Sequence, residues 1–185
     1  MQGAPTAPEW GERSEGFLRL LLHIWPTCRF RQGDREDDFN SADWWMVVPG
    51  GDREVPIGAR VVRYNDEFNH DFTIRDGRNN RSHPSEWERL LEADGPKPKR
   101  YRPGFLVYAI SNPDGVGYHE AYIVNLEALK AWFLIGKVVS HRVPNKGAAE
   151  GKDSYFRVFS VYQWPENNPV VHKWSDKVKE EVGAA

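Results

Sequence analysis

Asp43 heads the run Ser41-Ala42-Asp43-Trp44-Trp45-Met46-Val47-Val48, and Arg60 closes the run Arg53-Glu54-Val55-Pro56-Ile57-Gly58-Ala59-Arg60. Between them, Pro49-Gly50-Gly51-Asp52 supplies the positive-φ positions of a chain reversal. The spacing therefore predicts an acid at the mouth of one strand and a base on the next. Metal-assisted phosphodiester hydrolysis needs that combination. Mg²⁺ takes one or two carboxylates and completes its shell with water and phosphate oxygens. The bound ion activates water and stabilises the leaving oxygen, while a nearby cation steadies the phosphate. The plain structural alternative for Asp43 is a strand-entry residue whose carboxylate accepts from nearby backbone N–H groups.

The elements that must position these residues follow from periodicity. Phe17, Leu20, Leu21 and Ile24 recur at helical spacing, with Ser14 as N-cap and Pro26 as stop, so residues 15–25 are expected to form a helix. Residues 28–31 are expected as a short strand, 43–48 and 55–64 as the hairpin, and 71–75 as another short strand. Residues 84–91 read as a short helix with Pro84 early in it. The apolar run Phe105-Leu106-Val107-Tyr108-Ala109-Ile110 is expected to be a buried strand, with residues 118–124 returning as its partner. Asn125 then caps a helix over 126–135 that Gly136 ends. Strands are expected at 138–143 and 155–162, and residues 173–181 read as a polar segment with helical potential. This order implies one α+β (mixed α/β) domain over residues 14–164, with a central mixed sheet flanked by helices. Residues 1–13 read as a loose arm and 165–185 as a polar C-terminal tail.

At the hairpin the chain resembles the PD-(D/E)XK nuclease superfamily, over roughly residues 14–63 and in the order of elements that follows. Asp43 resembles that family's metal-binding aspartate, and Glu15, at the start of the first helix, is similar in placement to the acid the superfamily often supplies there. The family's E-x-K would fall on Gly58-Ala59-Arg60. Gly58 has no side chain to ligate a metal. Arg60 keeps the cation but is a poor proton carrier, because its pKa stays above about 12. The resemblance implies a restriction-endonuclease-like core, Mg²⁺ as cofactor, nucleic acid as partner and a phage or mobile-element setting. The catalytic set would be Asp43, Arg60 and Glu15, with metal held by Asp43 and Glu54. Two alternatives remain open. Either binding is kept and hydrolysis lost, or the second acid migrates to Glu54 or into the acidic segment 34–38. The rival from another class is a non-catalytic binding or assembly protein that retains the fold. A further one is a subunit whose Trp-rich surface is an oligomer interface.

Two basic groups are candidates for tracking a phosphate backbone: Lys97, Lys99, Arg100 and Arg102 around Tyr101, and Arg75 with Arg78 and Arg81; Arg63 adds to them. Tyr101 is a candidate for stacking on a base. Solvated loops are the plain alternative for such runs. The six histidines are scattered, and no H-E-x-x-H, C-x-x-C, phosphate-cradling glycine loop or G-x-S-x-G motif occurs.

Composition bounds these readings. At 185 residues the chain suits one domain with a real core and would crowd two. A net charge of -2 means that nucleic-acid binding must rely on a local patch rather than a global field. The single cysteine, Cys28, excludes an internal disulfide and suits a reducing compartment. No apolar run approaches the ~20 residues of a membrane span, so the expectation is a cytoplasmic protein without a membrane partner. Aromatic residues reach 13%, too many to be all surface, and Trp44 and Trp45 are expected to face opposite sides of their strand.

Overall fold

The structure is a computed structural model that describes residues 15–34, 42–51, 53–64, 71–78, 85–91, 103–113, 117–144 and 154–175. Helix α1 (Glu15–Ile24) leads into strands β1 (Arg29–Gln32), β2 (Trp44–Val47) and β3 (Glu54–Arg63), which form an antiparallel meander. Then come β4 (Asp71–Arg78), helix α2 (Glu86–Leu91), β5 (Phe105–Ser111), β6 (Tyr118–Asn125) and helix α3 (Leu126–Leu134). Strands β7 (Ser140–Pro144) and β8 (Ser154–Ser160), a 3₁₀ turn (Val161–Gln163) and β9 (Val171–Ser175) complete the order. The main sheet has six strands in the order β1-β2-β3-β5-β6-β9, and a second sheet has the order β4-β8-β7. The main sheet is mixed because β3 and β5 run parallel while its other neighbours are antiparallel. The class is α+β in one domain with flanking helices.

Each face of the main sheet carries its own core. On one side Phe17, Leu20 and Leu21 of α1 pack on Trp44, Met46, Ile57, Ala59, Val107, Ala109 and Ala121. On the other, Tyr108, Ile110, Tyr122 and Val124 meet Phe72, Ile74 and Phe159 of the second sheet, with Trp87 of α2 and Leu129 of α3. A strand covered on both faces should be apolar along its length, and β5 is buried at every position except Phe105. The covering helices have explicit ends. In α2, Ser85 Oγ accepts from the Glu88 N–H at 3.2 Å and Glu88 Oε2 accepts from the Ser85 N–H at 2.6 Å, a reciprocal capping box. In α3, Asn125 Oδ1 accepts from Ala128 N–H at 3.1 Å. Gly136, at φ 70°, closes α3, with its N–H on the Phe133 carbonyl and the Lys137 N–H on that of Trp132.

The main departure from the sequence reading is β9. Residues 171–175 fall in the stretch read as a polar tail, and Lys173 at the start of a segment with helical potential. They form the sixth strand, paired antiparallel with β6. Asn168 prepares this strand, its Oδ1 accepting from the N–H groups of Val170 (2.9 Å) and Val171 (2.7 Å), both buried. The expected strand over 138–143 begins two residues later, because Val138 turns into the core between the helices and the second sheet. Trp44 and Trp45 divide between faces as expected: Trp44 is buried, while half-buried Trp45 carries the Arg31 guanidinium 4.6 Å above its ring. Among the described residues no helix is long and apolar enough to cross a membrane.

Candidate site where β2 meets β3

The β2–β3 ladder runs from Val47↔Glu54 to Trp44↔Ile57, and Asp43 stands just past its end. Its N–H donates to the Ile57 carbonyl at 3.0 Å, and its carbonyl accepts from Gly33 beyond β1 at 2.8 Å. Continuing the register would bring the Ala59 N–H opposite Ala42. Instead, Asp43 Oδ2 accepts from that N–H at 2.7 Å. A strand N–H left without its ladder partner is thereby satisfied by a side chain. Asp43 ties β1 to β3 and holds its carboxylate against the middle of the triplet Gly58-Ala59-Arg60. The first turn of α1 lies over the same place, with the Phe17 ring stacked on Trp44 at 6.3 Å between centroids.

Ala59 faces α1, so Arg60, the next residue along the strand, points to the opposite side of the sheet. There Arg60 Nη2 donates to both carboxylate oxygens of Glu86, the first residue of α2, at 3.1 and 3.0 Å. Glu86 Oε2 also accepts from the Arg75 N–H at 3.4 Å, and the Arg60 guanidinium lies 5.6 Å from the Phe156 ring. The pair is largely withdrawn from water, with the side chains 17% and 26% exposed. Its Coulomb attraction is therefore less screened than that of a surface pair.

Arg60 begins a row that the register carries across four strands: Arg60, Tyr108, Tyr122 and Lys173. Burial pushes the Tyr108 hydroxyl above its usual range, against a hydrogen bond with Thr73 and the charge of Arg60, which pull it down. Burial likewise raises Tyr122, reinforced by its hydrogen bond to Glu120 and by the charge there. Tyr122 donates to Glu120 Oε1 at 2.6 Å, and Lys173 reaches Glu120 Oε2 at 2.7 Å. Glu120 is thus a buried carboxylate with a partner on each oxygen. Asp71 of β4 adds its negative charge to the surroundings of both tyrosines, and its Oδ1 is buried without a hydrogen-bond partner among the described residues.

The remaining expected site residues separate. Glu54 lies at the far end of the β2–β3 ladder, three strand residues from Ile57 or ~10 Å at ~3.3 Å per residue. Its carboxylate receives both Arg31 Nε (2.9 Å) and Arg31 Nη2 (2.7 Å). Glu15 pairs with Arg19 one turn along α1, on an exposed face. Arg63 ends β3 and is exposed, and Arg75 meets Glu86 through its backbone. Lys97, Lys99, Arg100, Tyr101 and Arg102, like Arg81 and the acids at 36–38, lie outside the described residues. Among the described residues no three His, Cys, Asp or Glu side chains form a group able to hold a metal. The structure therefore brings Asp43 to the Gly58–Arg60 triplet and leaves Glu54 and Glu15 with partners elsewhere. Sequence reasoning missed Glu86 and Glu120. Glu86 looks like an ordinary first-turn acid, and nothing in the local sequence marks Glu120 as the acceptor of Tyr122 two positions on.

Comparison of the chain with protein-family models, curated proteins and solved structures finds no match. The chemistry of the site rests on its own residues. It combines a carboxylate fixed on backbone, a guanidinium held by an acid across two elements, and a row of buried hydroxyls between them and Lys173.

Proposed function

We propose that this chain acts on nucleic acid through a nuclease-like core of the PD-(D/E)XK kind, with Mg²⁺-dependent phosphodiester hydrolysis as its reaction. The observation that carries the reading is the 2.7 Å bond between the Asp43 carboxylate and the Ala59 N–H. It holds the acid beside the Gly58-Ala59-Arg60 triplet, at the end of an antiparallel three-strand meander whose last strand has a parallel neighbour, and that juxtaposition supports the reading. Mg²⁺ asks for one or two carboxylates, with water and substrate phosphate completing its shell. The set fits at that minimum: Asp43 would hold the ion, which supplies water activation and charge stabilisation when bound. Asp43 contributes a carboxylate whose direction is set before substrate arrives, and Arg60 contributes a cation for the phosphate once it leaves Glu86.

A second reading, a binding protein that retains the fold without hydrolysis, is favoured by a specific observation. Arg60 is already neutralised by Glu86, and the position of the second acid is Gly58. Titration calorimetry with Mg²⁺ and with Mn²⁺, on the natural chain and on Asp43→Asn, separates the two. Metal binding that the substitution removes supports hydrolysis. No heat in either protein leaves the binding role.

A further inference from the structure

While Glu86 holds Arg60, a nucleic-acid backbone first meeting a chain of net charge -2 needs positive charge outside the β2–β3 centre. The second sheet supplies it. Asp76 of β4 is buried and faces two guanidiniums. Arg157 of β8 takes its carboxylate, with Nε and Nη2 at 2.9 and 2.8 Å from Oδ2, and gives Nη1 to Ser140 Oγ at 3.1 Å. Its guanidinium lies 5.2 Å from the Trp87 ring and 5.6 Å from that of Phe133. Arg157 is an internal staple.

Arg142 of β7 differs. It reaches across β8 to the backbone carbonyl of Asp76, donating from Nε at 3.2 Å and Nη2 at 3.0 Å. Its approach to the Asp76 carboxylate is only 3.8 Å, and that carboxylate is already bonded by Arg157. One negative charge is shared by two positive ones, and the uncompensated charge is that of Arg142. A guanidinium has five N–H donors; two face the Asp76 carbonyl, so three have no partner among the described residues. The side chain is 50% exposed and sits over Tyr155, with Cζ 3.9 Å from the ring centroid. The stacked ring restrains the guanidinium before a ligand arrives, which lowers the entropy lost when its planar fork grips two oxygens of a phosphate. Exposed Lys137 stands just before β7, its ammonium 5.5 Å from the Trp132 ring and without a carboxylate partner among the described residues.

We infer that Arg142, assisted by Lys137, forms a phosphate-binding subsite for a polynucleotide backbone, separate from the Asp43–Arg60 centre. The inference rests on the nucleic-acid reading and extends it to a surface that reading does not use. The subsite contacts phosphate only, so it is indifferent to base sequence.

The test is the salt dependence of binding to labelled duplex and single-stranded oligonucleotides, by fluorescence anisotropy from ~50 to ~200 mM salt. Arg142→Ala should weaken all sequences alike and reduce the slope of log affinity against log salt on duplex by about 0.9, the signature of one lost phosphate contact. Arg142→Lys keeps the charge and should keep most of that slope. Lys137→Ala, at an exposed turn where folding is not at stake, should lower the slope as well. If the natural chain binds and Lys137→Ala and folded Arg142→Ala superimpose on it at every salt concentration, the subsite is refuted while the nucleic-acid reading stands. If the natural chain binds no oligonucleotide even at the lowest salt, that reading fails and takes the subsite with it.

Discussion

Asp43 Oδ2 accepts a 2.7 Å hydrogen bond from the Ala59 N–H and replaces a missing ladder partner at the end of β2. The same carboxylate is therefore a structural group and the one on which the proposed reaction depends. Removing it outright would leave a part-buried N–H unsatisfied, at a cost of about 1–2 kcal/mol. Asparagine keeps an acceptor oxygen at the same reach. Asp43→Ala should lower stability to urea by about that amount, whereas Asp43→Asn should stay within about 0.5 kcal/mol of the natural chain. Equal losses in the two variants would show that the Ala59 bond does not depend on an acceptor here.

Arg60 and Glu86 join β3 to α2 with little water around them. Glu86→Ala leaves the Arg60 guanidinium without its acid and removes the 3.4 Å contact to the Arg75 N–H. Its cost should lie between that of an exposed pair and a fully buried one, about 2 kcal/mol. Glu86→Gln, which keeps an acceptor, should cost less. Denaturant midpoints measure both. A Glu86→Ala midpoint equal to that of the natural chain would mean that the pair contributes nothing to stability.

Both tyrosines of the cross-strand row titrate above the ordinary value of 10.0. Their hydroxyls stay protonated in the folded chain at pH values where the unfolded chain ionises them. Each contribution is fully present below pH 10, begins to fall above it, and is lost as pH rises through the raised folded value. Stability should therefore decline from about pH 10 upward. Tyr122→Phe should reduce the steepness of that decline, because phenylalanine has no proton to lose. Thermal midpoints between pH 9 and pH 11, where ~10 is the unperturbed tyrosine value, provide the measurement. Identical slopes for the two proteins would contradict the assignment.

Strand β9 covers one edge of β6 and brings Lys173 to Glu120. A chain ending at residue 164 loses the buried side chains of Val170 and Val171 and uncovers a long apolar edge, which is prone to pair with another copy. Such a truncation should aggregate, as read by light scattering on refolding. Lys173→Met in the full chain, which takes the ammonium away from Glu120, should fold but be less stable. A truncated chain that stays monomeric with the full-length thermal midpoint would show that β9 is dispensable.

The legible parts of this fold are those fixed locally. Phe17, Leu20 and Leu21 announce the buried stripe of α1, Pro49-Gly50-Gly51 the reversal, the apolar run at 105–110 a strand covered on both faces, and Asn125 with Gly136 the two ends of α3. The pairing of β4 with β8 was not legible, because Phe72 and Phe159 stack across 87 residues with no local sign of one another. β9 was hidden for a related reason. Val-His-Lys-Trp-Ser is too polar to read as a core strand, and its place depends on Asn168 and on a free edge of β6. In the candidate site, Asp43 was legible from its position before an apolar strand, and so was its alternative as a backbone acceptor. The partner of Arg60 was not, because Glu86 arrives from a helix 26 residues later.

The measurement that tests the central claim most directly is incubation of labelled DNA and RNA, single- and double-stranded, with the natural chain and with Asp43→Asn. Each is run with Mg²⁺ or Mn²⁺ and with EDTA, and retention of the labelled strands is read alongside cleavage. The account predicts metal-dependent cleavage by the natural chain that EDTA abolishes and Asp43→Asn, still folded, lacks. Retention without cleavage would select the binding role. Neither cleavage nor retention of any of the four substrates would contradict a protein that acts on nucleic acid.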